Sequence, residues 1–123
     1  MATRTYTIDQ VTEFGANSWI VTWTGLLNGD DGQPILMPEC ADGSIQFFGT
    51  FGAGGTIVWE GTNTRAVSNF LTLTDPQATA ISKTAAGIET CEESCFQRRP
   101  RVTAGDGTTS LTAVALLRRG YDA

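Results

Sequence analysis

The segment Ser44–Thr62 reads S-I-Q-F-F-G-T-F-G-A-G-G-T-I-V-W-E-G-T, and its reading decides the fold. Runs rich in β-branched and aromatic residues flank a knot of glycines at Gly52, Gly54 and Gly55. Successive side chains on a strand point to opposite faces. Ile45, Phe47 and Phe51, with Gly49 among them, therefore share one face, and Gln46, Phe48 and Thr50 share the other. Beyond the glycines, Ile57 and Trp59 lie on one side and Thr56, Val58 and Glu60 on the opposite one. Two such runs joined by a short glycine loop predict a β-hairpin, because glycine reaches the positive φ angles of a tight reversal. This hairpin is expected to form the centre of an all-β core.

The flanking sequence repeats the pattern. Thr3–Val11 alternates weakly and predicts a first strand, while Ser18–Thr24 (S-W-I-V-T-W-T) sets Trp19, Val21 and Trp23 against Ile20, Thr22 and Thr24. The tryptophan side is expected to face the core, since large aromatics contribute the most buried area. Asn28–Gly32 is turn chemistry, and the prolines at 34 and 38 keep the segment between them out of a sheet centre. Phe70–Thr74 reads as a short strand closed by the Asp75–Pro76 turn, and Thr79–Ala86 as a strand or a single helical turn. Gly87–Glu92, Phe96–Thr103 and Ser110–Arg118 complete the strand set; Pro100 predicts an edge or a bulge, and Gly105–Gly107 a reversal. Eight or nine short strands with regular turn signals predict a single antiparallel β-sandwich or jelly roll over residues 1–123, with little or no helix.

Bulk properties narrow the function. The chain has 123 residues, 14 of them glycine, and 41% hydrophobic and 17% charged residues, a composition able to build a core without metals or disulfides. Thirteen acidic residues against eight basic ones give a net charge of −5. Such a balance argues against nucleic-acid binding through phosphate neutralisation. No run approaches the roughly 20 apolar residues of a membrane-spanning helix, and no apolar signal-peptide core follows Met1. Synthesis in a cytoplasm is expected, followed by retention there or export within a larger particle. The three cysteines, Cys40, Cys91 and Cys95, are an odd number and fit a reducing site of synthesis.

Each candidate site has a plainer alternative. The glycines of Gly49–Gly55 are followed by a strand, not by the Lys-Ser/Thr and helix of a phosphate loop. Cys91 and Cys95, with Cys40, are short of the four ligands of a structural zinc site and read better as buried thiols. Asp30–Asp31 and Asp106, set among glycines, read as solvated turn residues; neither matches a calcium loop. Glu92 and Glu93 are adjacent, so on a strand they face opposite ways and do not form a glycosidase pair. The chain has no histidine, which removes Ser-His-Asp and Cys-His catalysis. No enzyme activity and no cofactor are expected.

The arginines carry more. Arg98, Arg99 and Arg101 flank Pro100, and Arg118–Arg119 end the last strand. A hairpin around Gly105–Gly107 would bring both clusters to one end of a sheet. They would serve either as a charged edge that prevents open-ended strand pairing or as a docking surface, where guanidinium groups make bidentate bonds to carboxylates.

From Ala41 to Asn63 (A-D-G-S-I-Q-F-F-G-T-F-G-A-G-G-T-I-V-W-E-G-T-N) the chain resembles a group of small virion proteins of tailed bacteriophages. The resemblance continues through F-L-T-L-T-D-P (70–76), K-T-A-A-G-I (83–88), R-P-R (99–101) and G-D-G-T-T (105–109). It implies a capsid decoration, or cement, protein: a β-sandwich on the outside of the head that binds the major capsid protein, often as a homotrimer, and braces the shell. It implies a place on the virion surface after synthesis in the bacterial host cytoplasm, with neither nucleic acid nor membrane as partner. A carbohydrate-binding or adhesion module is the competing reading, should Trp19, Trp23 and Trp59 be exposed to stack on sugars.

Overall fold

The computed structural model describes residues 2–12, 18–36, 40, 42–93 and 95–119. Its strands are β1 (Thr3–Arg4), β2 (Tyr6–Val11), β3 (Ser18–Leu27), β4 (Asp31–Gly32), β5 (Asp42–Thr50), β6 (Thr56–Thr62), β7 (Leu71–Thr72), β8 (Ser82–Lys83), β9 (Gly87–Cys91), β10 (Gln97–Ala104) and β11 (Ser110–Arg118). Sheet A has the order β1-β4-β10-β6-β7, with β8 also on β6; sheet B has the order β2-β3-β11-β5-β9. All pairs are antiparallel except β1 with β4. The all-β sandwich expected from the sequence is present, with eleven strands rather than eight or nine. The excess comes from two-residue strands, and the predicted strand Thr3–Val11 is split at Thr5 between the two sheets.

The central hairpin is corrected. β5 and β6 do not pair: β5 runs beside β11 from Asp42↔Arg118 to Thr50↔Ser110, and β6 beside β10 from Thr62↔Gln97 to Thr56↔Ala104. The reversal at Gly105–Gly107 is likewise no hairpin, since β10 and β11 lie in different sheets. The two glycine loops are neighbouring corners of one antiparallel ribbon, in which β5–β6 and β10–β11 fold together from sheet B into sheet A. A corner needs the same positive φ as a hairpin, and Gly52 and Gly54 take φ of 72° and 70°.

The corners are clasped. Asp106 Oδ2 accepts from Ala53 N at 2.9 Å, and its Oδ1 from Thr108 Oγ1 at 2.6 Å and Thr108 N at 2.9 Å. Thr109 Oγ1 donates to Phe51 O at 2.7 Å and accepts from Asp106 N at 2.9 Å. The hydroxyl of Thr108 and the amides of Ala53 and Thr108 stabilise the ionised carboxyl and hold Asp106 down to about 2. It was expected to be a solvated turn residue; it ties one crossover to the other.

Between the sheets, Trp23 of β3 meets Trp59 of β6 edge to face, with centroids 5.7 Å apart, and Tyr6 packs on Trp23 at 5.9 Å. Such pairs add about 0.5–1.5 kcal/mol beyond the area they bury. Trp23 Nε1 donates to Gln33 O at 3.0 Å, so the buried indole nitrogen is satisfied. On β11 the small Ala113 lies between Trp23 and Phe47 on the adjacent strands, which lets the large rings fill the layer. Pro100 sits on a central strand, not at an edge. The amides of Arg98 and Val102 bond toward the β4 side, to Ile35 O and Asp30 O, so the missing N–H of Pro100 faces the same way. There its ring rests against Gly32, where an added Cβ would come within 2.6 Å of Pro100 Cδ.

Candidate functional site

Alternation along β10 separates the arginines that adjoin in sequence. Arg98 turns inward and is 1% exposed, with Nη2 donating to Cys40 O at 3.0 Å and its backbone exchanging hydrogen bonds with Ile35. Nearby, burial pushes the Cys91 and Cys95 thiols up, against the opposing pull of the Arg98 charge. Arg99 and Arg101 turn outward onto Glu60 of β6. Arg99 Nε donates to Glu60 Oε1 at 2.7 Å, and Arg101 Nε lies 3.2 Å from both carboxylate oxygens. Arg99 Nη1 reaches Asp31 Oδ2 at 3.2 Å, and its guanidinium lies 4.0 Å from the centroid of the Phe70 ring. Together these groups bind β4, β6 and β10 across the outer face of sheet A and line a shallow depression with Ser68 and Asn69.

The second cluster lies elsewhere. Arg118 ends the outward-facing row of β11 on sheet B, and the Arg119 guanidinium is 5.2 Å from the Trp19 ring centroid. The expected meeting of both clusters at one end of one sheet is therefore corrected: they are on different sheets, because β10 and β11 are. Of the five arginines, Arg98 is buried, Arg99 and Arg101 are engaged with Glu60, and Arg118 is exposed.

Other polar groups also join strands, and of these Gln97 was unmarked in the sequence. Gln97 is 2% exposed, and its Nε2 faces Thr64 O, Arg65 O and Ala66 O at 2.9, 3.1 and 3.2 Å, pinning the loop after β6. β6 itself is buried on both faces, its outward Glu60 lying under Arg99 and Arg101. Asp30 is buried, not solvated as expected. Burial raises its carboxyl, but the amides of Leu27 and Ala2 and the Arg4 guanidinium outweigh it and hold the group below its ordinary value. Arg4 Nε lies 2.8 Å from Asp30 Oδ2, which fastens β1 to the turn before β4. Lys83 and Glu89 form an ion pair between β8 of sheet A and β9 of sheet B.

The outer face of sheet B is different. Its registers set Asp9, Ile20, Leu116, Ser44 and Thr90 in one row, and Thr7, Thr22, Val114, Gln46 and Ile88 in the next. Phe48 and Thr112 follow on the same side. Ile20, Leu116, Phe48 and Ile88 are 36%, 42%, 41% and 60% exposed. The charge on this face is at the margin, in Asp9 on the edge strand, Arg118 at the strand end and Glu92 beside it.

No protein-family model and no curated protein sequence matches the chain. Among solved structures, it is similar to the SPBc2 prophage-derived protein YomS, with a TM-score of 0.62 and 10% identity over 81% of this chain and 93% of that one. At that identity the likeness shows a shared fold. A carbohydrate-binding module (CBM6cm-2) from Cellvibrio mixtus lichenase 5A, solved with cellotriose, gives a TM-score of 0.35 and 14% identity over 95% and 88% of the two chains, a score that carries no argument.

Proposed function

We propose that this chain is a structural, non-enzymatic virion protein of a tailed bacteriophage. It binds the major capsid protein on the outer surface of the head as a homotrimer and stabilises the shell. The observation that carries the reading is where the buried polar side chains find their partners. Asp30, Glu60, Thr62, Gln97, Arg98 and Thr109 are the buried polar residues among those described, and each bonds another part of this same chain. Buried polar groups held this way join strands; they do not converge on a substrate. The sequence resemblance to decoration proteins and the shared fold with a prophage-derived protein support the phage context.

Incubating the purified protein with expanded, undecorated capsids, followed by sedimentation and imaging, tests this reading. Saturable co-sedimentation at symmetry-related positions is expected; protein that stays in the supernatant overturns it. The carbohydrate-binding alternative needs indoles at the surface, whereas Trp23 and Trp59 are 0% and 1% exposed, and the half-buried Trp19 packs against the core with the Arg119 guanidinium 5.2 Å from its ring. Tryptophan emission is therefore expected to be blue-shifted and unchanged by added glycans.

A further inference from the structure

We infer that the outer face of sheet B is the surface through which copies of this chain bind one another. This rests on the homo-oligomer in the reading above, and it assigns the contact to a place.

Three observations carry it. The first is composition. Ile20 and Leu116 stand directly opposite each other, Val114 lies two residues along β11, Phe48 lies diagonally across from Val114, and Ile88 lies beyond Gln46, an apolar cluster broken by one amide and flanked by threonines. Four of these five are at least 36% exposed. Isolated apolar residues at a surface are ordinary, but a contiguous patch rimmed by polar groups marks a protein contact.

The second is area. With strands about 4.8 Å apart and a rise of about 3.3 Å per residue, the five-stranded face spans roughly 24 Å by 25 Å, or about 600 Å2. Covering it within a symmetric oligomer removes about 600 Å2 from each copy, or about 1,200 Å2 for every two copies, the lower bound of a specific, stable interface.

The third is charge. Each copy carries a net −5, so two copies repel over most of their surfaces. The middle of this face carries no charge, and at its margins Asp9 and Glu92 are opposite in sign to Arg118. A partner with a strong charge pattern would find no counterpart here, whereas an identical copy needs none. Symmetric assemblies use one patch repeatedly in this way.

Analytical ultracentrifugation of wild type, Leu116→Asp and Val114→Thr tests the inference, with circular dichroism and a thermal melt for each. Wild type is expected to sediment as an oligomer. Leu116→Asp is expected to sediment as a folded monomer. Val114→Thr nearly keeps shape and strand propensity, and is expected to weaken association about tenfold, which corresponds to about 1.4 kcal/mol. A monomeric wild type, or an oligomer that both folded variants leave intact, overturns the inference. Capsid binding, measured on the same proteins, separates the two readings. A monomeric wild type that loses capsid binding on Leu116→Asp assigns the face to the capsid and sinks self-association. An oligomer dispersed by Leu116→Asp whose wild type ignores capsids upholds the face and sinks the virion role.

Discussion

The two sheets bury their inner faces against each other in the same manner and treat their outer faces oppositely. On sheet A the outer face carries a buried carboxylate, Glu60, between Arg99 and Arg101, and the loop pinned by Gln97 crosses its end. On sheet B the outer rows are aliphatic and hydroxylic, and they stay open. The two outer faces therefore offer a partner different chemistry. Arg99 and Arg101 of sheet A are held on Glu60 within the chain, although the Arg101 side chain stays 43% exposed, while the outer face of sheet B meets water with apolar surface that gains by being covered.

Breaking the sheet A network should have the largest effect. Glu60→Ala leaves Arg99 and Arg101 without their carboxylate in a partly desolvated position and is expected to lower stability by about 3 kcal/mol in urea unfolding. A loss under about 1 kcal/mol would place the pair with ordinary surface ion pairs. Next is the corner where the ribbon passes from one sheet to the other. Gly52→Ala puts a Cβ against Asp106 at a φ of 72° and is expected to destabilise by about 2 kcal/mol, while alanine at Gly107, which has open space around its Cβ position, should be milder. Smallest is Ile88→Thr on sheet B, expected to stay within about 0.5 kcal/mol of wild type in a thermal melt; a larger loss would show that this face contributes to the fold and not only to contacts.

Acid sharpens the role of the seam. Asp106 titrates at about 2 in the folded chain against an ordinary 3.8. A depressed folded pKa contributes stability that is fully present above the unfolded value and is lost as pH falls through the folded one. The Asp106 clasp is thus expected to hold down to about pH 4 and fail between there and about pH 2. Stability of wild type and Asp106→Asn, followed against pH, should converge over that window, and parallel curves would remove the clasp from the account.

Much of the fold was legible. Alternation found β3, turned Val21 and Trp23 inward with Trp19 only half-buried, and grouped Ile45 with Phe47 and Ile57 with Trp59 on what prove to be the buried faces, because period 2 with large apolar residues has one economical solution when two sheets pack. Pairing was not legible. G-A-G-G fits a hairpin and a sheet-to-sheet corner equally, since both need positive φ, and what distinguishes them is the distant partner: β11 for β5 and β10 for β6. The arginine site was half legible. The sequence marked Arg98, Arg99 and Arg101 as a group, but which of them turns inward depends on the register of Pro100 against Trp59. Glu60 was placed on the side opposite Trp59, yet it is held by Arg99 and Arg101 of β10, a pairing that no local pattern announces. Asp30 and Asp106 looked like solvated turn residues because their partners, Arg4 and Ala53, come from other segments.

The position of β11 has a consequence for how the protein is made. β11 follows all the other strands in the chain, yet it occupies the middle of sheet B, with β3 on one side and β5 on the other. Ribosomes add about 5–20 residues per second, so for seconds the nascent chain holds β2–β3 and β5–β9 as separate pieces with bare inner faces. Neither piece gains a neighbour until β11 emerges, and assembly then depends on contacts between remote segments, which fold in milliseconds to seconds. Sheet B is thus expected to close only once β11 is available, and a chain cut before Ser110 is expected to lack the strand that joins β3 to β5.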